Sequence, residues 1–370
     1  MQTVLNQLVY FGFLQSIFLL LIYLFVPKKR KNMNPYLLFL VGTLAFGLLG
    51  RILYSTEIFG TNFKFFAMSE IASTLFGPTL YLFVKSSLNK HETSKKDLIS
   101  YVPSLGYILC IFVYFIIPPL ETAIERSQTG ETMRAIFLFH AAGMLINITY
   151  WVQSVLELKT FKKKMREELS YSIDTKFLKQ LIIVMGSIFF VWMAFYLSSF
   201  FGNKMLERNA RPFIWLSLAF TILFITYYGL ISPKVFKVFP AEAIKKYTQS
   251  KLSISDLDTL KQDLDAIMAE KKPYLNSKLL KAELAELLGI SNPELARLLN
   301  ERIGMNFFEY VNYHRIQEFI ELAKSDKAQQ LTFFGLAQEA GFNSKATFYN
   351  AFKKITGSSP SVYFLSLIHI

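Results

Sequence analysis

Long runs of apolar residues dominate the first two-thirds of the chain and then stop. Seven runs are each long enough to cross a bilayer as a helix, which takes about 20 residues. They cover residues 4–26, 35–54, 65–84, 98–117, 135–156, 177–201 and 212–231. Farther on, apolar residues recur every three or four positions, a pattern typical of amphipathic helices. The pattern predicts an all-α chain in which a seven-helix transmembrane bundle precedes a soluble helical region.

Lysine and arginine are concentrated in alternate loops between these runs. The basic loops follow runs one, three and five and include residues 28–31, 85–96 and 159–166. Basic loops stay on the cytoplasmic side, so the N-terminus is expected outside and the region after Pro233 in the cytoplasm. Because the first basic cluster follows the first run instead of preceding it, this run is interpreted as a span and not as a signal peptide.

A pattern of two short helices around a glycine occurs twice in the C-terminal third. The copies are Leu279–Asn300 and Leu331–Phe352, and in each a Leu-Ala pair precedes the glycine by the same spacing. Glycine suits the turn because it adopts left-handed backbone angles freely. Ser291 is expected to cap the second helix of one copy, and Asn343 or Ser344 that of the other. Each copy therefore predicts a helix-turn-helix, whose second helix fits the major groove of DNA.

Residues 272–364 resemble the DNA-binding domain of the AraC family of bacterial transcription regulators, in which a long helix, here 307–323, joins two helix-turn-helices. The matching motifs are Pro273-Tyr274-Leu275, Asn300–Phe307 (NERIGMNF), Arg315-Ile316, Gly341-Phe342, Phe348, Phe352-Lys353-Lys354 and Gly357–Pro360 (GSSP). The resemblance implies sequence-specific binding to double-stranded promoter DNA in two successive major grooves, about 34 Å apart. It also implies that the membrane is the bacterial inner (cytoplasmic) membrane.

The same resemblance implies which residues contact DNA. The expected contacts are Asn292, Glu294 and Arg297 in the first recognition helix, and Lys345, Ala346, Tyr349, Asn350, Lys353 and Lys354 in the second. Arginine suits guanine and asparagine suits adenine, whereas the two adjacent lysines are expected on phosphates. The alternative for Arg297 is a surface ion pair with Glu294 or Glu301.

Composition and charge separate these two regions. Hydrophobic residues make up 52% of the chain, which has 37 phenylalanines and a net charge of +13. Residues 1–234 hold 23 basic and 12 acidic side chains, whereas residues 272–370 hold 11 and 9. Most of the positive charge therefore belongs to membrane topology, and the DNA-binding prediction rests on the motifs.

A few polar residues interrupt the apolar runs. Charged side chains are costly inside a bilayer and usually face the bundle interior. Glu70 in the third run and His140 in the fifth are therefore candidate sensory residues for an unknown signal ligand. The alternative is that Glu70 reaches the outer interface or pairs with Arg51. The Gly77-Pro78 pair predicts a kink in the third run.

Residues 234–271 are interpreted as a connector with a charged amphipathic helix. Its apolar stripe consists of Leu257, Leu260, Leu264, Ile267 and Met268. The stripe either packs on the DNA-binding domain or pairs with a second copy in a homodimer. The apolar tail, residues 365–370, is interpreted as a non-native addition without function.

Nothing in the sequence indicates an enzyme. The single cysteine, Cys110, and four scattered histidines give no metal-binding spacing. No phosphate-binding glycine loop or nucleophile motif occurs. No catalytic, cofactor-binding or metal-binding residue is predicted. The prediction is a membrane-tethered transcription regulator; the alternative is a seven-span receptor or transporter whose cytoplasmic tail binds a protein.

Overall fold

The structure is a computed structural model that describes residues 2–25, 34–56, 64–88, 95–201, 204–231 and 254–368. Within these residues the fold is all-α, as predicted, and the single β-type pairing among them is a bridge between Leu169 and Leu280. The chain divides into two compact units. The first comprises Met1–Lys159 and Asp174–Phe239, and the second comprises Thr160–Ile173 and Pro240–Ile370.

Eight helices begin in the described part of the first unit. They are α1 (Gln2–Phe25), α2 (Pro35–Thr56), α3 (Lys64–Leu88), α4 (Val102–Ile111), α5 (Leu120–Gln128), α6 (Glu131–Glu168), α7 (Lys176–Phe200) and α8 (Lys204–Ile231). Helix α6 is shared, because its last residues, from Thr160 onward, belong to the second unit.

Within the described residues, five helical segments are long and apolar enough to cross a membrane, compared with seven predicted spans. They are Asn6–Phe25, Pro35–Tyr54, Lys96–Ile116, Glu131–Glu168 and Lys176–Ser198. The third predicted span lies in α3, where Glu70 and several Ser and Thr lower the mean hydropathy over the described residues. The seventh lies in α8, in which the described apolar stretch is the shorter segment Ile214–Tyr228. A count of seven spans stays a prediction.

Two of the predicted segments differ in shape from the expectation. The fourth span is not one regular helix, because a 3-10 turn at Lys95–Tyr101 precedes α4 and a π-helical turn at Phe112–Ile116 follows it. The fifth span was expected to end near residue 156, with basic residues 159–166 in a loop. Helix α6 instead continues to Glu168. Lys, Glu and Met favour helices and no Gly or Pro interrupts this stretch, so the helix extends through the basic run.

Side chains from neighbouring helices complete the backbone bonding of α3 at Gly77-Pro78. Pro78 has no N–H to offer the carbonyl of Thr74, and the Ser104 hydroxyl donates to that carbonyl at 2.8 Å. The Asn147 side-chain amide accepts from the Gly77 N–H at 2.7 Å and donates to the carbonyl four residues before that glycine at 3.0 Å. Because lipid cannot satisfy backbone groups, these bonds make the proline tolerable within α3.

Seven helices lie in the described part of the second unit. They are α9 (Ile254–Glu270), α10 (Lys281–Leu287), α11 (Asn292–Arg297), α12 (Phe307–Lys324), α13 (Phe333–Glu339), α14 (Lys345–Thr356) and α15 (Pro360–Ile368). Residues 234–253 of the predicted connector and residues 369–370 of the predicted tail lie outside the described residues.

The long helix α12 contributes to two hydrophobic cores, one for each copy of the repeat. The first core includes the α9 stripe, in which Leu257, Leu264 and Met268 are buried. Of the two alternatives for this stripe, the structure therefore shows packing on the domain that holds the repeat. In the second core Phe319, on α12, lies against Phe348, with ring centroids 4.6 Å apart. Such tilted aromatic pairs add specificity to the burial of large apolar surfaces.

Candidate nucleic-acid interface

The two copies of the repeat share their turn geometry. Helices α10 and α11 form the first helix-turn-helix, and α13 and α14 form the second. The turn glycines, Gly289 and Gly341, have φ values of +71° and +94°. In each turn the N–H after the glycine donates to the carbonyl five residues earlier, at 3.0 Å in the first copy and 2.9 Å in the second. This bond satisfies a carbonyl at the end of the first helix and fixes the exit direction of the chain.

The two recognition helices, α11 and α14, begin at different caps. In α14, Ser344 is the cap of the two alternatives, because its hydroxyl accepts from the Thr347 N–H at 3.4 Å. In α11, the Glu294 carboxylate accepts from both the N–H and the hydroxyl of Ser291 at 2.8 Å. Glu294 therefore holds the start of α11 in this structure, and its expected contact with DNA stays a prediction.

Arg297 and Asn292 lie at opposite ends of α11. Arg297 pairs with Glu301 through a 2.9 Å contact between Nε and Oε2, which is one of the two ion pairs expected as alternatives. Exposed pairs of this kind contribute at most about 1 kcal/mol, so a guanine edge can replace the glutamate. Asn292 is half-buried, and its Oδ1 has no hydrogen-bond partner among the described residues.

Helix α14 buries one face and exposes the other. Lys345, Ala346 and Asn350 are exposed, as expected of base-reading positions. Tyr349 was expected to point outward, but it is half-buried and packs against the second core. The centroid of its ring lies 5.9 Å from the Lys345 ammonium, so the ring forms a cation–π contact with that lysine. Its side chain is large enough to cover part of Phe348, which explains the burial.

The two lysines predicted on phosphates lie near the end of α14. Lys353 and Lys354 are both exposed. Lys354 pairs with Glu309 on α12, and the hydrogen bond from that lysine lowers the pKa of the Glu309 carboxyl. Its side chain is 70% exposed in the pair, so the ammonium is still accessible to an anion.

Arg315 makes buried hydrogen bonds that the sequence did not predict, since it was recognised there only as part of a motif. It lies on α12 and is 1% exposed. Its Nε donates to the Tyr274 carbonyl at 2.8 Å and its Nη2 to the Asn276 carbonyl at 2.7 Å. Burial lowers the pKa of Arg315 to about 10, which leaves the guanidinium charged at neutral pH. A charge this deeply buried requires several acceptors, and backbone carbonyls provide them.

The two candidate sensory residues meet inside the first unit. His140 Nε2 lies 3.2 Å from Glu70 Oε1, and the Tyr107 hydroxyl donates to Glu70 Oε2 at 3.1 Å. All three side chains are buried. Glu70 and His140 line a cavity of about 90 Å³, together with residues that include Arg51, Trp192 and Trp215. This volume holds several water molecules or a small ligand.

The second unit thus has the fold of a tandem helix-turn-helix DNA-binding domain. Residues 284–366 match the family described as "Helix-turn-helix domain", which confirms the AraC-type resemblance for this part of the chain. The chain is also 28% identical over 127 residues to the HTH-type transcriptional activator AarP of Providencia stuartii, and this match covers 34% of the chain and 85% of that relative. No solved structure matches the chain significantly. The family that this part of the chain resembles consists of DNA-binding transcription regulators, which are typically not enzymes.

Proposed function

We propose that this protein is a membrane-tethered, sequence-specific DNA-binding transcription regulator. The observation that supports it most strongly is the repeated helix-turn-helix, with an exposed reading surface on α14, in a chain whose described residues include five helical segments of membrane-spanning length. The distribution of basic loops supports an N-terminus outside the bacterial inner membrane and a second unit in the cytoplasm. A regulator fixed in this way requires its promoter to come to the membrane.

The two recognition helices then enter successive major grooves. In α11, Arg297 exchanges its ion pair with Glu301 for a guanine, and Asn292 contacts the DNA from the opposite end of the helix. In α14, Lys345, Ala346 and Asn350 contact base edges, and a bare methyl such as that of Ala346 suits thymine. Lys353 and Lys354 bind phosphates and set the register. Glu294 and Tyr349 shape this surface, one as a cap and the other as a support for Lys345.

The polar cluster of Glu70, His140 and Tyr107 is the proposed site of signal detection. It combines a buried carboxylate with a cavity lined by aromatic rings, a combination typical of small-molecule sites. These three residues lie on α3, α6 and α4, so a signal molecule that replaces either bond to Glu70 changes how three helices pack.

The test is genome-wide crosslinking of the tagged full-length protein to chromosomal DNA in intact cells. We expect discrete peaks that share a two-part motif with about one helical turn between its parts. The double variant Arg297→Ala, Lys345→Ala should lose about 30-fold or more in promoter affinity, since each base contact contributes about 1–3 kcal/mol.

The matched control is Lys278→Ala, Lys324→Ala, which removes the same charge from exposed positions outside the recognition helices. Equal losses in the two double variants would argue against base reading. A full-length protein with no more peaks than a variant without residues 272–370 would favour the alternative, a cytoplasmic tail that binds a protein.

A further inference from the structure

The end of α6 and the turn after it are built into the DNA-binding unit. Thr160–Ile173 lies between the fifth and sixth predicted spans, yet it belongs to the second unit with residues beyond 240. The family match begins only at residue 284, so this segment is an addition to the helix-turn-helix domain. We call Glu168–Ser172 the docking segment.

The docking segment is bound first to the start of the first helix-turn-helix. Leu169 is fully buried and forms a bridge with Leu280. The Ser170 N–H and hydroxyl both donate to the Leu279 carbonyl, at 3.3 Å and 2.8 Å. Glu168 pairs with Lys281, the first residue of α10, at 2.7 Å, and the lysine is only 5% exposed. Such a shielded pair requires both partners, because either one alone would be a poorly solvated charge.

Arg315 also depends on the docking segment. Its Nη1 donates to the Ser170 carbonyl at 2.7 Å and its Nη2 to the Ser170 hydroxyl at 3.0 Å. The guanidinium has no carboxylate among its hydrogen-bond acceptors within the described residues. Ser170 therefore provides two of the acceptors that make the buried charge tolerable. Withdrawal of the segment would leave these guanidinium N–H donors hydrogen-bonded to water or without an acceptor.

The docking segment finally reaches the second helix-turn-helix. The hydroxyls of Ser172 and Thr347 lie 2.8 Å apart, and Thr347 lies on α14. Thr347 is buried, whereas the reading residues Lys345, Ala346 and Asn350 on the same helix stay exposed. The segment therefore contacts both copies of the repeat and α12 between them, and it leaves the reading positions of α14 uncovered.

We propose that the docking segment holds the two recognition helices in their DNA-reading arrangement, and that its release from the domain lowers promoter affinity. Helix α6 carries His140 near its start and ends in this segment, so it provides a covalent route from the cavity to the reading helices. This inference rests on the proposed function, and it assigns the signal path to the turn between spans five and six.

Docking is tested by a disulfide in the full-length protein in membrane vesicles. The variant Ser172→Cys, Thr347→Cys is made in a Cys110→Ser background, since Cys110 is the single native cysteine. We expect rapid crosslinking under mild oxidation, which a change in gel mobility after site-specific proteolysis between the two cysteines reports. The control Lys163→Cys, Thr347→Cys places the first cysteine at an exposed helical position and should crosslink much more slowly. Equal rates for the two pairs would overturn the docking.

The effect on DNA is tested with Leu169→Asp, which places a carboxylate in a fully buried site and should expel the segment. We expect promoter affinity to fall about tenfold or more, and Leu169→Met, the volume-conserving control, to keep it. The Ser172–Thr347 crosslink should restore affinity to Leu169→Asp, and reduction should abolish the rescue.

Unchanged affinity in Leu169→Asp, or loss of affinity on crosslinking the otherwise unaltered chain, would overturn the proposal. The rescue by the crosslink distinguishes a released segment from a misfolded domain. A parent chain that crosslinks as expected but binds no promoter at all would contradict the proposed function and not the docking.

Discussion

The two turn glycines differ in their surroundings, and alanine substitution at each should reveal the difference. Both have left-handed backbone angles, so alanine strains either turn by about 1–2 kcal/mol. A Cβ on Gly289 would meet no atom within 4 Å. A Cβ on Gly341 would lie 2.3 Å from the Tyr274 carbonyl oxygen and 3.0 Å from Arg315 Nε. The second substitution therefore adds a collision with backbone at the junction of the two helix-turn-helices.

The collision can be relieved only by moving that junction. The Tyr274 carbonyl is the acceptor of the 2.8 Å bond from the buried Arg315, so a shift of about 1 Å weakens that bond as well. Loss of a charged hydrogen bond in a buried site costs about 1.5–3 kcal/mol. We therefore expect Gly341→Ala to destabilise the second unit by about 3–5 kcal/mol, compared with about 1–2 kcal/mol for Gly289→Ala.

Pulse proteolysis of membrane vesicles in urea measures the difference without isolating the domain. For a unit of this size the free energy of unfolding falls by roughly 1–3 kcal/mol per molar urea. The midpoint should drop by about 1 M in Gly289→Ala and by about 2 M or more in Gly341→Ala. Equal shifts in the two variants would refute the reasoning, because the backbone strain common to both would then account for the whole effect.

Three further predictions concern charge, pH and membrane packing. Lys353→Ala should weaken binding equally for all DNA sequences and reduce the slope of log affinity against log salt by about 0.9, whereas Lys324→Ala should leave the slope unchanged. Burial lowers the pKa of His314 below its usual 6.5, and this effect exceeds the opposing effect of Asp265. Between the two pKa values the unfolded chain binds a proton that the folded unit does not bind. The second unit should therefore lose stability as the pH falls below about 6.5. A His314→Gln variant whose unfolding midpoint in urea depends on pH as that of the parent does would contradict this assignment. Asn147→Leu should destabilise the detergent-solubilised protein by about 1–3 kcal/mol, because three hydrogen bonds are lost; an unfolding midpoint equal to that of the parent would contradict it.

The helix-turn-helix repeat could be predicted because its determinants are local. Glycine at the turn, a serine directly before each recognition helix and apolar residues at helical spacing each act within a few residues, and each lies where the pattern predicted it. The sequence left two alternatives for what the α9 stripe packs against, because an apolar face does not specify its partner. Tyr349 was expected to be exposed but is half-buried for a related reason. An amphipathic side chain at the edge of a helix face is stable both in solvent and against the core.

The contacts of Arg315 could not be predicted, because they join residues far apart in sequence. Ser170 is 145 residues away from its partner, and a serine in a basic loop carries no signal of burial. Glu70 and His140 were individually recognisable, since ionisable residues within apolar runs are rare. Tyr107 was missed at that site because tyrosine is common in membrane helices and gives no comparable signal.

The position of Thr160–Ile173 also changes the interpretation of charge. From sequence, the basic residues after the fifth run served only to orient the chain in the membrane. Four of them, Lys162, Lys163, Lys164 and Arg166, lie in the second unit and are exposed, against two acidic residues in the same segment. The segment adds a net +2 to a DNA-binding domain whose own net charge is +2. Under the proposed function, these residues keep the turn in the cytoplasm and also raise the affinity of the unit for any polyanion, so charge reversal there should disturb topology and DNA binding together.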